Sequence, residues 1–478
     1  MSESRTFTYQ TRIEVSPEQA KFLDEYAETY STIQRHMFAE ISAGKIPNKS
    51  DYLRKFVITA RQYNAVAISL KGKIAAIKAL KKTQISNTES KIKKMESVIK
   101  KLEAKIYRAN NLNRAKLYFK IHQKKRRQFI LETRLANVKN KNASGKIGIC
   151  FGSKKLFHAQ FFLGDNGYKS HQEWKIDWQS ARNSEFFVLG SKDESAGCQG
   201  CVANINSDDS FNLRLRLPNP IGKYISFDNL SFAYGQDKII ESLQAKRALS
   251  YRFKKDKKGW RVFLSTAMER DIVSVKNLGA IGVDQNANCL AVSETDRFGN
   301  LIATKVISCV THGKTTEQTK AIIGDAVKQV SEWAKNTGKP VAVEKLDFSK
   351  KKLEMGQDDP KQARMLSNFA YSLTSSMIYS SCFKNGTEVI EENPAYTSII
   401  GSVNYAQRFG ISVHQAAALA IARRGMGLSE RPTTRVAVIP TRNGAHVTFA
   451  LPVRNRAKHV WSFWSNMGFG EQRNSKRS

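Results

Sequence analysis

The sequence predicts a multidomain α+β chain built from an α-helical arm, a β-barrel-like domain and an α/β layer domain. Three observations predict it. A stretch poor in Gly and Pro, from Gly72 to about Val138, repeats its apolar residues at helical spacing. Residues 140–275 then change to strand-like alternation, and residues 278–427 interleave apolar strands with helical stretches. At 478 residues the chain is long enough for several domains with substantial cores.

Taken in order, Thr6 to Val15 alternates and reads as a strand, so residues 1–15 are expected to be the opening strand of the β domain. Ser16-Pro17-Glu18 then opens a helix, with Ser as N-cap and Pro in the first turn. Helical patterning runs to about residue 45 and again from Lys49 to about Leu70. Ile92, Met95, Ile99, Leu102 and Ile106 alternate three- and four-residue spacings, the seam of a long helical hairpin or coiled coil. The other faces are one-sidedly cationic (Lys93, Lys100, Lys101, Arg126 and Arg127 among them), where a solvated helix mixes signs. Residues 16–140 are therefore expected to be a helical domain whose arm faces phosphate.

In residues 141–277, Leu213-Arg214-Leu215-Arg216-Leu217 puts aliphatic groups on one face and guanidiniums on the other. Tyr251-Arg252-Phe253-Lys254 repeats the logic with aromatics. A strand with one buried and one cationic face suits a nucleic-acid backbone, with Arg214 and Arg216 as contacts. Residues 278–430 form the α/β domain. Residues 431–478 read as a basic tail carrying Trp461 and Trp464 and ending in a disordered EQRNSKRS.

Charge narrows the partner. Lys+Arg 78 against Asp+Glu 42 gives a formal net charge of +36 and a pI near 9.9. Self-repulsion of that size opposes compaction, and a polyanion relieves it while releasing counterions. Nucleic acid fits this better than a membrane surface or a purely structural ribosomal role. There is no apolar run of about 18 residues and no hydrophobic signal core in MSESRTFTYQTRIEV, so a soluble, cytoplasmic protein with no membrane partner is expected. Six cysteines in so long a chain make no disulfide framework, and Cys198 and Cys201 alone have metal-ligand spacing, a weak zinc signal.

Two acids stand out by position. Ile281-Gly282-Val283-Asp284 is an apolar strand carrying a carboxylate, and Leu290 to Ser293 and Leu301 continue it as strands joined by a Gly-Asn turn. Val341-Ala342-Val343-Glu344 repeats the pattern and runs into a basic stretch that includes Lys350 and Lys351, expected phosphate contacts. A carboxylate inside an apolar strand is costly to bury unless it is paired or metal-bound. Hard oxygen donors of this kind suit Mg²⁺, with substrate phosphate completing its coordination.

The segments GVDQNANCLAVSETDRFGN, VAVEKLDF, NPAYTS and HQAAALAIARRG, in that order, resemble the successive RuvC motifs of the TnpB family. These are transposon-encoded RNA-guided nucleases related to compact type V CRISPR effectors. The likeness covers about residues 278–430, and the upstream order is similar to that family's wedge and recognition lobe. It implies an RNase H-like nuclease domain, a guide RNA, a flanking DNA motif read by the protein, and cleavage of target DNA at one RuvC site. It also implies that Asp284 and Glu344, on adjacent strands, hold two Mg²⁺ ions about 4 Å apart.

The sequence departs from that pattern twice. The stretch Ser398 to Val413 has no cysteine, so the family's zinc ribbon is expected to be absent. The acid that usually precedes an Asn-Ala-Ala run is also missing: Gln415-Ala416-Ala417 follows Val413-His414. His414, opening a helix, could serve instead as ligand or base, or Glu392 or Glu391 at the end of Thr387-Glu388-Val389-Ile390 could supply the carboxylate. Arg423 and Arg424 are expected at phosphate. The expectation is a Mg²⁺-dependent RNA-guided DNA endonuclease, working as a monomeric ribonucleoprotein on a guide RNA and target DNA and associated with the nucleoid when bound to it. The alternatives are a guided repressor with a spent active site and, opposed by the motif order, a transposase. The guide's source, a transposon end or a CRISPR array, stays open.

Overall fold

The computed structural model describes residues 4–107, 110–345, 368–432, 435–440, 446–451, 453, 455, 457–465 and 467. The chain divides into two compact units, one ending at Glu269 and the other beginning at Arg270. No helix among the described residues is long and apolar enough to cross a membrane.

In the first unit, β1 (Ser4–Arg12) pairs antiparallel along its whole length with β7 (Gly259–Glu269). With β6 (Leu249–Asp256) and β2 (Glu185–Val188) they make a four-stranded sheet of order β1-β7-β6-β2. Alternation decides what β7 buries: Trp260, Val262 and Leu264 face inward and their neighbours do not. A second antiparallel sheet joins β3 (Cys201–Ile205), β4 (Phe211–Arg216) and β5 (Tyr224–Leu230). Phe227 of β5 meets Phe253 of β6 at 6.2 Å, and Phe253 stacks on Phe186 at 4.8 Å. The strands thus form two sheets sharing an aromatic core.

Ser16 caps α1 (Pro17–Ser42) by accepting from the Gln19 amide, and the Gln19 side chain accepts from the Ser16 amide in return. The buried face of α1 includes Leu23, Tyr26, Tyr30, Ile33 and Met37, with Tyr26 stacked on Phe186 at 4.1 Å. Each such aliphatic burial stabilises by roughly 1.5–3 kcal/mol. After α2 (Lys49–Phe56), α3 (Ala60–Ile106) runs 47 residues, about 70 Å, straight through Gly72. It folds back on α4 (Asn111–Ala143). The seam closes with Met95 and Ile99 against Ile121, and Leu102 and Ile106 pack on them. Helix α3 therefore begins twelve residues before Gly72, because one glycine lowers helix propensity without breaking the hydrogen-bond ladder.

Residues 141–277 hold helices that alternation does not announce: α5 (Lys154–Ala159), α6 (His171–Arg182) and α7 (Gln236–Gln244). The first is too short to display a period, and the signals of the first two are the caps Ser153 and Ser170. Cys198 and Cys201 are both fully buried free thiols in this unit, and burial pushes Cys198 up to about 11.

The second unit is a five-stranded mixed sheet of order β10-β9-β8-β11-β12. Its strands are β8 (Ile281–Gln285), β9 (Cys289–Thr295), β10 (Leu301–Ser308), β11 (Val341–Glu344) and β12 (Val389–Glu392). The first three form an antiparallel meander, and β11 and β12 add parallel to β8. Helices α8 (Thr316–Thr337) and α9 (Asn368–Lys384) supply the rest of one core cluster, with Ile323, Val327, Val330 and Ile378 against Ile281, Val283, Val341 and Val343. Beyond β12 come α10 (Thr397–Gly401), a π-helical turn over Ser402–Ala406, and α11 (Val413–Gly425).

The segment expected to be a basic tail is part of this unit. β13 (Val436–Pro440) pairs with β14 (His446–Ala450), and Ala437, Phe463, Trp464 and Met467 join Ile400, Leu419 and Ala420 in a second core cluster. Apolar burial outweighs the charge of the flanking residues there: Trp464 is fully buried and donates its indole N–H to Glu430 O at 3.2 Å. The terminal EQRNSKRS lies outside the described residues.

Candidate active site

The two-residue period of β8 sets the site. Ile281 and Val283 belong to the core cluster with α8 and α9, so Gly282 and Asp284 face the other side of the sheet, where α11 lies. Helix α11 is nearly all small residues on its buried side (Ala416, Ala417, Ala418, Ala420, Ala422), which lets it approach the strands closely. Gly282 makes that approach possible. A Cβ built there would lie 1.9 Å from Ala418 O and 2.6 Å from Ala422 N. Gly425 plays the same part over Ala342 of β11.

Ser412 caps α11 and Gln415 closes the capping box, which places His414 in the first turn above Asp284. His414 Nδ1 meets Asp284 Oδ2 at 3.2 Å, and Asn286 Nδ2 donates to the same oxygen at 2.9 Å. The Asp284 side chain is 11% exposed, whereas that of His414 keeps 57% of its surface. The hydrogen bond to Asp284 raises the His414 pKa above its usual value, against the opposing effect of partial burial.

Parallel register brings in the other acids. Val283 pairs with Val343, so Asp284 and Glu344 follow at the same level of adjacent strands, and Glu344 pairs with Glu392. Val341 and Val343 face the α8 core while Ala342 meets α11, so Glu344 lies on the Asp284 face. The same alternation separates the two β12 acids. Glu391 accepts from Tyr379 Oη of α9, on the far face, and Lys345 stands 3.5 Å from it. Glu392 lies on the near face, its pKa raised by burial and pulled back by Arg424 and Lys276. Three carboxylates thus line the carboxyl ends of three neighbouring parallel strands, where sheets of this kind take ligands.

Two of the acids, Asp284 and Glu344, are already oriented by protein. Thr397 Oγ1 donates to Glu344 Oε1 at 2.6 Å. Among the described residues no group of three or more His, Cys, Asp and Glu converges on one point as a ready metal cage. The donors nevertheless fit a hard divalent cation, because Mg²⁺ keeps several waters and binds through one or two carboxylates plus substrate oxygen.

Sequence reading missed Asn286 and Thr397 as orienting groups, although both stand inside the quoted motifs. Arg423 and Arg424, expected at phosphate, have protein partners. Arg423 donates from Nε to Glu430 Oε1 and from Nη1 to Gly299 O, both at 2.6 Å. Arg424 donates to Asn393 O and Ala395 O and lies over the Trp461 ring. In the first unit, Arg214 and Arg216 both lie over the Tyr224 ring, at 4.9 and 5.0 Å, and Arg126 and Arg127 are exposed on α4. Lys350 and Lys351 lie outside the described residues.

No family model matches the sequence, and no curated protein does. Among solved structures, the chain is similar to a Cas12f1–sgRNA–target DNA complex at 12% identity and a TM-score of 0.39, covering 88% of this chain and 99% of that one. It is similar to a Cas12i–crRNA–dsDNA complex at 10% identity and a TM-score of 0.30, covering 79% and 67%. T. thermophilus RuvC in complex with Holliday junction substrate matches at 15% identity and a TM-score of 0.24, over 32% of this chain and 98% of that one. The chain's structural neighbours thus include Cas12f1, Cas12i and RuvC.

Proposed function

We propose that the second unit is an RNase H-like nuclease domain of RuvC type, and that the chain is an RNA-guided DNA endonuclease. One observation carries the reading: Asp284, Glu344 and Glu392 stand at one level of three neighbouring strands, with His414 hydrogen-bonded to Asp284. Such strand-end acids suit phosphodiester hydrolysis, in which a bound divalent cation lowers the pKa of water and stabilises charge on the phosphate. Asp284 and Glu344 would hold the cation, with Asn286 and Thr397 orienting their carboxylates. His414, exposed at the mouth of the site, is placed to move a proton to or from a reacting oxygen. Glu392 is the third carboxylate available, and Glu391 is not, because it faces α9.

The net charge of +36 and the cationic faces of α4 and β4 support a nucleic-acid partner held largely by its phosphates. The ordered motifs extend that to a guide RNA and target DNA. The test uses the full chain purified with its copurifying RNA, which is sequenced and matched to a DNA target. Cleavage that needs Mg²⁺ and is lost in Asp284→Ala and Glu344→Ala supports the reading. Cleavage surviving Asp284→Ala refutes the site assignment, and target binding without any cleavage by the wild type refutes the endonuclease reading.

A further inference from the structure

The first unit contains an open cleft of about 870 Å³ that the nuclease reading does not use. Its walls are β6 with the Lys257 turn, the α1 face around Tyr30 to Gln34, and the segment from Ile149 through α6. The volume is that of a site for a small organic ligand.

The acids on its walls all have partners. Asp256 is held by Arg12 and Arg261, Glu185 faces Lys73 at 3.6 Å, and Asp177 accepts from Tyr168 Oη at 3.0 Å. The cations are not matched in the same way. Lys255 pairs with Asp24, but among the described residues Lys254 and Lys257 make no ion pair, and the buried Arg182 Nε has no hydrogen-bond partner. Arg182 also lies close enough to Arg35 to lower that guanidinium's pKa, after burial. The cleft therefore carries surplus positive charge together with two half-buried rings, Phe151 and Tyr168.

We propose that this cleft seats one unpaired nucleotide of the bound nucleic acid, with its phosphate at Lys254, Lys257 and Arg182 and its base against Phe151 and Tyr168. Rings accept any base by its π-face while ammonium groups neutralise the backbone, a combination that favours a single strand over a duplex. The inference rests on the nucleic-acid part of the reading above and is independent of cleavage.

Cys150 on the cleft wall makes it testable, since it is exposed while the other five cysteines are buried or half-buried. The full chain, freed of copurifying RNA, is alkylated at Cys150 with and without a short single-stranded RNA. The strand should slow alkylation several-fold, and Lys254→Gln with Lys257→Gln should remove the protection. The same pair should lower the salt slope of binding by about 0.7 for each phosphate it leaves without a cation. Lys21→Gln with Lys45→Gln removes equal charge elsewhere and should retain protection. Protection that persists in the cleft variant, or an equal loss in the charge-matched control, overturns the proposal. Protection by uridine monophosphate equal to that by the strand overturns it too, since the cleft would then be a free-nucleotide site. If cleavage fails while protection holds, the nuclease assignment falls and the cleft does not.

Discussion

Gly282→Ala adds one methyl group at the closest approach of helix to sheet. The new Cβ would stand 1.9 Å from Ala418 O, whereas ordinary contact begins at 3.4 Å. The obstacle is backbone, so no rotamer change relieves it, and α11 must retreat by on the order of 1.5 Å or the strand must bend. Overpacking of this kind costs about 1–3 kcal/mol, more than the roughly 0.5–1 kcal/mol that Ala gains over Gly through chain entropy. The net loss is then at most about 2.5 kcal/mol, and at about 2–4 °C per kcal/mol for a unit of this size the second unit should melt lower by up to roughly 10 °C. The same retreat stretches the 3.2 Å contact between His414 and Asp284 beyond hydrogen-bond range, so cleavage should fall more than stability alone explains. Calorimetry of the full chain, with the cleavage rate measured well below the melting point, checks both parts. An unchanged melting temperature with a wild-type rate would refute the argument that Gly282 sets the helix-to-strand distance.

Thr397→Val keeps the shape of the side chain and removes the donor to Glu344. The Mg²⁺ concentration needed for half-maximal thermal stabilisation should rise about 10- to 100-fold, and Thr397→Ser should restore it. Glu392→Gln should reduce cleavage strongly while Glu391→Gln leaves it within about twofold, because alternation puts them on opposite faces; equal effects would contradict the register. The Arg12 guanidinium and the Lys258 amide hold the Asp256 carboxyl down at about 2, below its ordinary 3.8. A depressed carboxyl stabilises the fold above its unfolded pKa and loses that contribution as pH falls through the folded one. The melting difference between wild type and Asp256→Asn should therefore be full near pH 5 and vanish as pH falls from about 4 to 2, measured by circular dichroism.

Much of this protein is local and so was legible in the sequence. The seam of Ile92, Met95 and Ile99 identifies the helical hairpin, because helical spacing needs no distant partner. The cap Ser16 marks where its helix begins, since the signal lies within three residues. Asp284 and Glu344 are conspicuous for the same reason, each a charge inside an apolar strand. Tertiary structure alone decided which face each acid takes and what meets it there. Alternation separates Glu391 from Glu392, but the register between β11 and β12 decides that Glu392 is the one level with Glu344, and no residue's neighbours in sequence encode that choice. His414 reaches Asp284 only because Gly282 and a row of alanines let α11 lie against the sheet, a contact between residues far apart in the chain. The basic segment with Trp461 and Trp464 likewise reads as a tail until its rings find a core, because burial depends on what the rest of the unit leaves uncovered.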